Sequence, residues 1–502
     1  MWTWSRSLKK LLRSVVLIGC FLAFILFTKK LSPITLWELI RENHILTGRY
    51  KNNTAYEKDR ALPKQSHERD GSVALTTLKS QISISPKNEI NEQMRVEKID
   101  KMIERLRFEN FYPPTFWNTS LTQLTRQLGG RTRRTAKTLT GYANYTNKNN
   151  LPSWKLLHMN IRQYSLYDPD DPSVEITLRD MANLRIISAE TTKSGTEFKL
   201  IFKFSNGGQA MMKPMRYSRE VEADENRYIF DDMERHVAEI AAFQLDKLLG
   251  FYRVPPTVGR RINITSELKP ISPTSVTDTI FTSPAGNLCF YGKCKKFCDH
   301  AHAFCGHPDT IEISLQSFLP PENTARRKSW SQPWRRSYSK KRKAYWETND
   351  DMCQFIRNET PYNNSKLLKD IIDVHTFDFL TGNKDRHNIA IFEEFGDYSF
   401  PILYDNGRGF GRQTYDAMSI LAPLRQCCLI RKSTLLKYIK LYMGPERLSS
   451  LMEKALESDP LAPVLIQGHL NALDRRLVKI LQAVELCLAT YAFDDVIVSD
   501  DF

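Results

Sequence analysis

One short apolar run near the N-terminus, Val15 to Phe27, constrains this chain more than any other feature, because it decides the redox environment in which the rest folds. Arg6, Lys9, Lys10 and Arg13 precede the run, and Lys29 and Lys30 follow it. A charged region followed by an apolar one is the mark of secretory entry. The run is shorter than the ~20 residues of an average membrane span, though Leu11 and Leu12 extend it. No small-residue cleavage site follows it. The expectation is therefore an uncleaved signal anchor, with a cytoplasmic N-terminus and a lumenal bulk set by the flanking cations. A cleaved signal peptide and a buried core helix are the alternatives.

Secretory entry changes what the cysteines mean. Cys20 lies in the anchor, and eight others remain: Cys289, Cys294, Cys298, Cys305, Cys353, Cys427, Cys428 and Cys487. An even number suits an oxidised lumenal domain. Six Asn-x-Ser/Thr sequons, at Asn52, Asn118, Asn144, Asn263, Asn358 and Asn363, fit the same compartment. Such tripeptides also arise by chance. The cluster from Cys289 to Cys305, with His300 and His302 close by, could instead ligate zinc.

The chain is long enough, at 502 residues, for about three domains. Residues 31 to about 150 are polar and weakly periodic and read as a stem with short helical pieces, such as Glu89 to Phe108. The compact part begins near Trp154. From Glu197 to Phe204 the pattern alternates, with Phe198, Leu200, Phe202 and Phe204 on one face. Asn206-Gly207-Gly208 is a hairpin signal, and Gln209 to Lys213 returns as a second strand. Asp231-Asp232 opens a helix whose apolar positions run from Val237 to Leu249, and Gly250 ends it. Leu367 to Leu380 is a further helix, stopped at Gly382-Asn383. Ile389 to Phe392 and Phe400 to Tyr404 look like a short strand pair, and Leu435 to Leu488 carries more helical periods. The fold class is α+β: an atypical two-lobed protein-kinase-like fold behind an anchor (1–30) and a stem (31–153), with a first lobe to the hinge (154–320) and a helical second lobe (321–502).

The chemistry concentrates in two places. Asp385 sits just after a helix, and Asp405, twenty residues on, precedes Asn406-Gly407. A strand pair between two acids would bring both to one sheet edge. Kinase-like folds place two carboxylates in this way, one orienting the attacking hydroxyl and one holding metal on the phosphates. Lys199 and Lys213, on adjacent strands, can reach phosphates as point charges. Glu234 and Glu239, on the following helix, can pair with a lysine or bind a hard cation. Each residue alone is ordinary; the order Lys, Glu, Asp, Asp across two lobes is not. The usual kinase signatures are missing: no Gly-x-Gly-x-x-Gly loop, His-Arg-Asp, Asp-Phe-Gly or Ala-Pro-Glu occurs.

From Trp154 to Val498 the chain resembles the secretory-pathway kinases named family with sequence similarity 20. The phrases MMKPM, ERHVAEIAAFQLDKLLGFYRVPP, CFYGKC, PWRRSY, FDFLTGNKDRH, DNGRGFG and SILAPLRQCC carry the resemblance. Its Golgi casein kinase branch, which phosphorylates secreted proteins at Ser-x-Glu sites, looks nearest. A sibling branch phosphorylates xylose in proteoglycan linkers, and a third is a pseudokinase marked by loss of the metal-binding Glu. The resemblance implies that Asp385 is the catalytic acid and that Glu234 and Asp405 hold manganese or magnesium. It implies ATP contacts from Glu197, Lys199, Lys213, Ala390, Asp405 and the hinge Gln316, Ser317, Phe318 and Leu319. It pairs Cys289 with Cys305, Cys294 with Cys298, Cys353 with Cys427 and Cys428 with Cys487, which disfavours zinc. It also implies acidic secreted protein substrates, pairing with itself or a family member, and a lumenal Golgi-membrane location with release as an option, while the signal anchor argues for no nucleic-acid partner. The sequence departs from the family at two points: Ala390 replaces a nucleotide-contacting Glu, and Glu197 replaces a Gln. The Asp-Arg-His-Asn string at 385–388 is also similar to phosphoinositide kinases, whose loop carries a metal-binding Asn where this chain has Ala390.

The net charge is +15, and nine of the basic residues fall between Arg326 and Lys343, interleaved with Trp330, Trp334 and Tyr338. In a cytosolic protein this would suggest nucleic acid. Behind a signal anchor it reads as a solvated loop or as a surface that attracts acidic substrates.

Overall fold

The computed structural model describes residues 86–502, apart from 143–149, 193–194, 225–231, 233, 338, 340, 364 and 501–502. The apolar run at Val15 to Phe27, Asn52, Asn144 and Asp231 therefore lie outside the described residues. Among those described, no helix is long and apolar enough to cross a membrane.

The first half is built on a five-stranded antiparallel sheet. Its strands are β1 (Ile186–Thr191), β2 (Leu200–Phe204), β3 (Gln209–Pro214), β4 (Thr257–Asn263) and β8 (Thr310–Ser317), in the order β1-β2-β3-β8-β4. The alternation seen in sequence is the cause: Leu200, Phe202 and Phe204 are buried while Lys203 is exposed. β2 and β3 pair as the hairpin around Asn206-Gly207-Gly208, with Leu200 opposite Met212 and Lys203 opposite Gln209. A second, small sheet joins β5 (Phe281–Thr282), β6 (Leu288–Phe290) and β7 (Phe304–Cys305).

Helix α5 (His236–Leu249) runs through the centre. It is buried on nearly every side, the pattern of an internal helix. It packs on β4 and β8 and also touches helices α6 (Ser365–Thr381) and α8 (Leu448–Leu456) of the helical half. Gly250 caps it in the left-handed conformation, at φ 66°. The helix starts at His236, not at Asp231-Asp232, so Glu234 lies in the extended chain before it. Apolar periodicity located the helix but acidic residues misplaced its first turn, because Asp232 is engaged by Arg235 and does not cap.

The helical half comprises α6, α7 (Lys432–Met443), α8 and α9 (Gln467–Thr490). Two findings differ from the sequence pattern. First, residues 86–142 do not all stand apart as a stem. Helix α1 (Pro86–Phe108) packs against α9, with Ile99, Met102, Ile103 and Leu106 buried, and Tyr442 donates to Asp100 at 3.0 Å. Four apolar residues on one face of a polar helix supply the contact. Second, strand β10 (Asn388–Phe392) does not pair with Phe400–Tyr404. Its partner is β9 (Arg327–Ser331), the start of the basic stretch, with Ala390 opposite Ser329. The segment 401–405 makes one bond to it, from Ile402 N–H to Ala390 O at 2.9 Å. The basic stretch is thus a strand and then a turn pinned by Trp334, which is 2% exposed and donates to Gln426.

Disulfides join Cys289 to Cys305, Cys294 to Cys298, Cys353 to Cys427 and Cys428 to Cys487. Asn118, Asn358 and Asn363 are exposed, whereas Asn263 is half-buried and its Oδ1 accepts from Ser266 N–H. The Cys353–Cys427 bond closes a separation of 74 residues and Cys294–Cys298 one of 4. On loop entropy the first stabilises by about 4 kcal/mol and the second by about 2 kcal/mol. We therefore expect C353S/C427S to lower the chemical-denaturation midpoint by about twice as much as C294S/C298S. Equal shifts would refute the loop-entropy ordering.

Candidate active site

Four segments converge on one buried ammonium. Lys213 projects from β3, and its Nζ lies 2.7 Å from Glu234, 2.6 Å from Glu239 and 2.6 Å from Asp405. Glu239 comes from α5, Glu234 from the chain entering α5, and Asp405 from the turn after 401–404. Side-chain exposure separates their roles: 2% for Glu239, 15% for Glu234 and 45% for Asp405. Glu239 is thus the interior partner that fixes the lysine, while Glu234 and Asp405 face the opening. Glu239 does more, accepting the Asn406 N–H at 2.9 Å and the Gln316 amide at 3.4 Å.

The charges do not balance within the set. Burial opposes the Lys213 ammonium, but Asp405, Glu234 and Glu239 outweigh it and hold its pKa above the ordinary value. Lys213 in turn holds Asp405 well below the usual carboxylate range. Burial, and then the Asp405 charge, push Glu234 up to about 7. Carboxylate oxygens of Glu234, Glu239 and Asp405 lie within 4.8 Å of one another, an all-oxygen set that suits a hard divalent cation. Three carboxylates against one ammonium leave two negative charges, so the donor set fits a doubly charged ion.

Backbone geometry delivers these groups. Asp405 has φ 62°, a left-handed conformation that Asp tolerates better than most residues. At Gly407 an added Cβ would come within 2.8 Å of the Glu234 Cβ, so only glycine lets that acid approach the turn.

Asp385 is held by a second network. Its N–H donates to Asn383 Oδ1 at 2.9 Å, and its Oδ2 lies 3.1 Å from Arg408 Nη1. Hydrogen bonding to Asp385 raises the pKa of His387, whose Nδ1 is 3.5 Å from Asp385 Oδ1. Arg386 grips Asp378 of α6 with two bonds of 3.0 and 2.9 Å, and donates to Tyr404 O at 2.6 Å and Asn406 Oδ1 at 2.5 Å. Arg386 therefore ties the loop of Asp385 to the turn of Asp405.

The remaining sequence candidates fall around this core. Lys199 precedes β2; its charge helps Lys213 hold Asp405 down and opposes the rise of Glu234. Gln316 and Ser317 end β8; Phe318 N–H donates to Gln209 O, and Phe318 O meets the His158 ring at 2.7 Å, with Leu319 next. Ala390 is buried in β10. Glu197 is buried, and its charge is met by Arg408 at 3.2 Å. Arg386 and Arg408 had no assigned role from sequence, whereas the pairing of Glu239 with a lysine was expected and is found. Glu239 was visible as one of two acids near the helix, but helical spacing could not rank them.

The family model described as Fam20C, Golgi casein kinase, C-terminal, Fam20 matches residues 152–496. The chain belongs to the Fam20 family. It is 47% identical over 350 residues to the Homo sapiens extracellular serine/threonine protein kinase FAM20C, covering 70% of this chain and 60% of that protein. It is 44% identical over 364 residues to the Homo sapiens pseudokinase FAM20A, covering 69% and 67%. A crystal structure of the Golgi casein kinase with Mn/ADP bound superposes with TM-score 0.70 at 34% identity, covering 85% of this chain and 96% of that one. Fam20 membership and this structural likeness support the kinase-like fold.

The raised Glu234 gives a pH test. An acid whose folded pKa exceeds its unfolded one binds more protons folded than unfolded between the two values. Stability then falls as pH rises from 4.5 to about 7. In chelator, wild type should lose thermal stability relative to E234Q across that window, at roughly 2–4 °C per kcal/mol. Parallel melting profiles for the two proteins would contradict this charge arrangement.

Proposed function

We propose that this chain is a secretory-pathway kinase that transfers the γ-phosphate of ATP to serine hydroxyls of acidic secreted proteins, with manganese or magnesium held by Glu234 and Asp405. The observation that carries the reading is the Lys213 ammonium set among three carboxylates, two of them open, beside a separately anchored Asp385. The metal, when bound, neutralises phosphate charge and orients the leaving group. The chain's own residues do the rest. Lys213 and Lys199 offer positive charge to phosphate oxygens. Gln316 to Leu319 form the edge beside the base. Asp385 accepts the serine Oγ–H hydrogen bond and aims that oxygen at phosphorus. As the new Oγ–P bond forms, the bond from phosphorus to the ADP oxygen breaks, and the serine proton passes to Asp385. Arg408 fixes the orientation of Asp385 and meets the extra charge of Glu197, which answers one departure from the family pattern.

The four disulfides support an oxidising compartment. With them we propose the lumenal face of the Golgi, an anchor over Val15–Phe27, and glycans on Asn118, Asn144, Asn263, Asn358 and Asn363. One observation favours a second reading, a non-catalytic member that activates a partner kinase: Ala390 is apolar and buried where the family contacts nucleotide.

The deciding assay offers the purified chain labelled ATP and Mn2+ with casein or a xylose-bearing linker glycan. Label in casein supports the protein-kinase reading, and label in the glycan alone makes the chain a xylosylkinase. Nucleotide-dependent thermal stabilisation with label in neither acceptor makes it non-catalytic. For the acid itself, D385N should lower turnover by about 10²–10⁴-fold. Nucleotide-induced stabilisation should persist in D385N, because Lys213, Glu234 and Asp405 are intact. Turnover unchanged in D385N removes Asp385 from the mechanism.

A further inference from the structure

The two backbone carbonyls that follow Asp385 are held by one residue from the far end of β9. Gln332 is 2% exposed and stands one residue beyond the last β9–β10 pair, Ser331 with Asn388. Its N–H donates to His387 O at 3.0 Å, which extends the ladder toward the loop. Its side-chain Nε2 donates to Arg386 O at 2.7 Å. The backbone and the side chain of one residue thus grip consecutive carbonyls.

The amide is oriented by its other neighbours. Its Oε1 accepts the Trp334 N–H at 2.9 Å and lies 3.2 Å from His375 Nε2, so its nitrogen is left for the Arg386 carbonyl. These neighbours are themselves fixed. Trp334 is buried, and its Nε1–H donates to Gln426 Oε1 at 2.8 Å. His375 belongs to α6, on the turn before the Asp378 that Arg386 grips. Arg386 is therefore held at both ends, its guanidinium by Asp378 and its carbonyl by Gln332. Asp385, directly before it, has its own N–H on Asn383 Oδ1. With hydrogen bonds on both sides, the main chain at Asp385 has little freedom to rotate.

We propose that Gln332 is a positioning residue for Asp385: by holding the Arg386 and His387 carbonyls, it sets the direction in which the Asp385 carboxylate points. It acts through the loop and not by contact with a substrate. An amide suits the task because it offers a donor and an acceptor at once, whereas an ionised carboxylate of the same length offers no donor. A reacting group displaced by about 1 Å costs on the order of 10²-fold in rate. The proposal deepens the kinase reading and rests on it for what Asp385 does. It also gives the basic stretch a role at its buried end that does not depend on its charge.

The test uses the full chain with Q332M, Q332E, D385N and the double variant Q332M/D385N. Q332M keeps the length and loses the amide. Q332E, assayed at about pH 8 where a carboxyl is ionised, keeps an acceptor for Trp334 and loses the donor to Arg386. Each should lower kcat by roughly 10–100-fold and leave KM for ATP within about twofold of wild type. A residue that works through Asp385 has nothing left to position in D385N, so Q332M/D385N should turn over within about twofold of D385N. A merely structural defect would instead multiply the two losses. Hydrogen exchange reads the loop without turnover: the amides of 384–388 should exchange roughly tenfold faster in Q332M, and those of α6 within about twofold of wild type. If the wild type labels no acceptor, the kinase reading fails, and faster exchange confined to 384–388 still upholds the hold on the loop. Wild-type turnover in Q332E, multiplied losses in the double variant, or unchanged exchange at 384–388 overturns the proposal.

Discussion

The ammonium of Lys213 is the point on which the site depends. It is nearly buried, and three carboxylates, two from the stretch entering and opening α5 and one from the turn at Asp405, close on it at 2.6 to 2.7 Å. Breaking a buried ion pair by removing one partner costs about 3–5 kcal/mol, because the other charge is left behind. Here, removing the cation would leave three acids within 4.8 Å of one another. The same lysine joins the sheet, through β3, to the turn at Asp405 that extends from the helical half. Glu239 spreads this constraint further. It binds the lysine, the Asn406 backbone and the Gln316 amide, so the ammonium, the turn at Asp405 and strand β8 share one carboxylate.

Asp385 depends on a different residue. Arg386, buried and bidentate on Asp378, sets the loop on α6 and reaches the Asp405 turn through Tyr404 and Asn406. A planar guanidinium can make these bonds at once, and a lysine could not. The loop of Asp385 and the turn of Asp405 are therefore placed by one shared side chain.

What the sequence made legible follows from the range of the interaction. Local periodicity located β2, β3, the body of α5, α6 and the helices beyond 432, because each depends on its own apolar spacing. The hairpin at Asn206-Gly207-Gly208 was legible because its turn demands those residues. The partner of β10 was not, since strand pairing between 327–331 and 388–392 leaves no mark in either segment. Nor did polarity show that α1 packs on α9, because four buried residues are a thin signal on a charged helix. At the site, the order of lysine and acids was legible, but the division of labour between Glu234 and Glu239 was not. That division rests on a 2% against 15% exposure, which only the packed structure supplies.

The net charge of +15 says little about catalysis once the charges are placed. The hub around Lys213 is locally negative, with three carboxylates to one ammonium, and it is shielded from salt by burial. The cavity lined by Lys384 and Arg412 carries, among the described residues, more basic than acidic side chains. Arg408 spans the boundary between them, with Glu197 on one side and Asp385 on the other. The first region, with its three carboxylates, suits a divalent cation. Between them Arg408 holds one oxygen of the Asp385 carboxylate at 3.1 Å while His387 lies 3.5 Å from the other. The exposed basic charge on the outer strand and turn is screened beyond ~8 Å and is not felt at the buried hub. Placement of a few paired charges, rather than their sum, gives the site its direction.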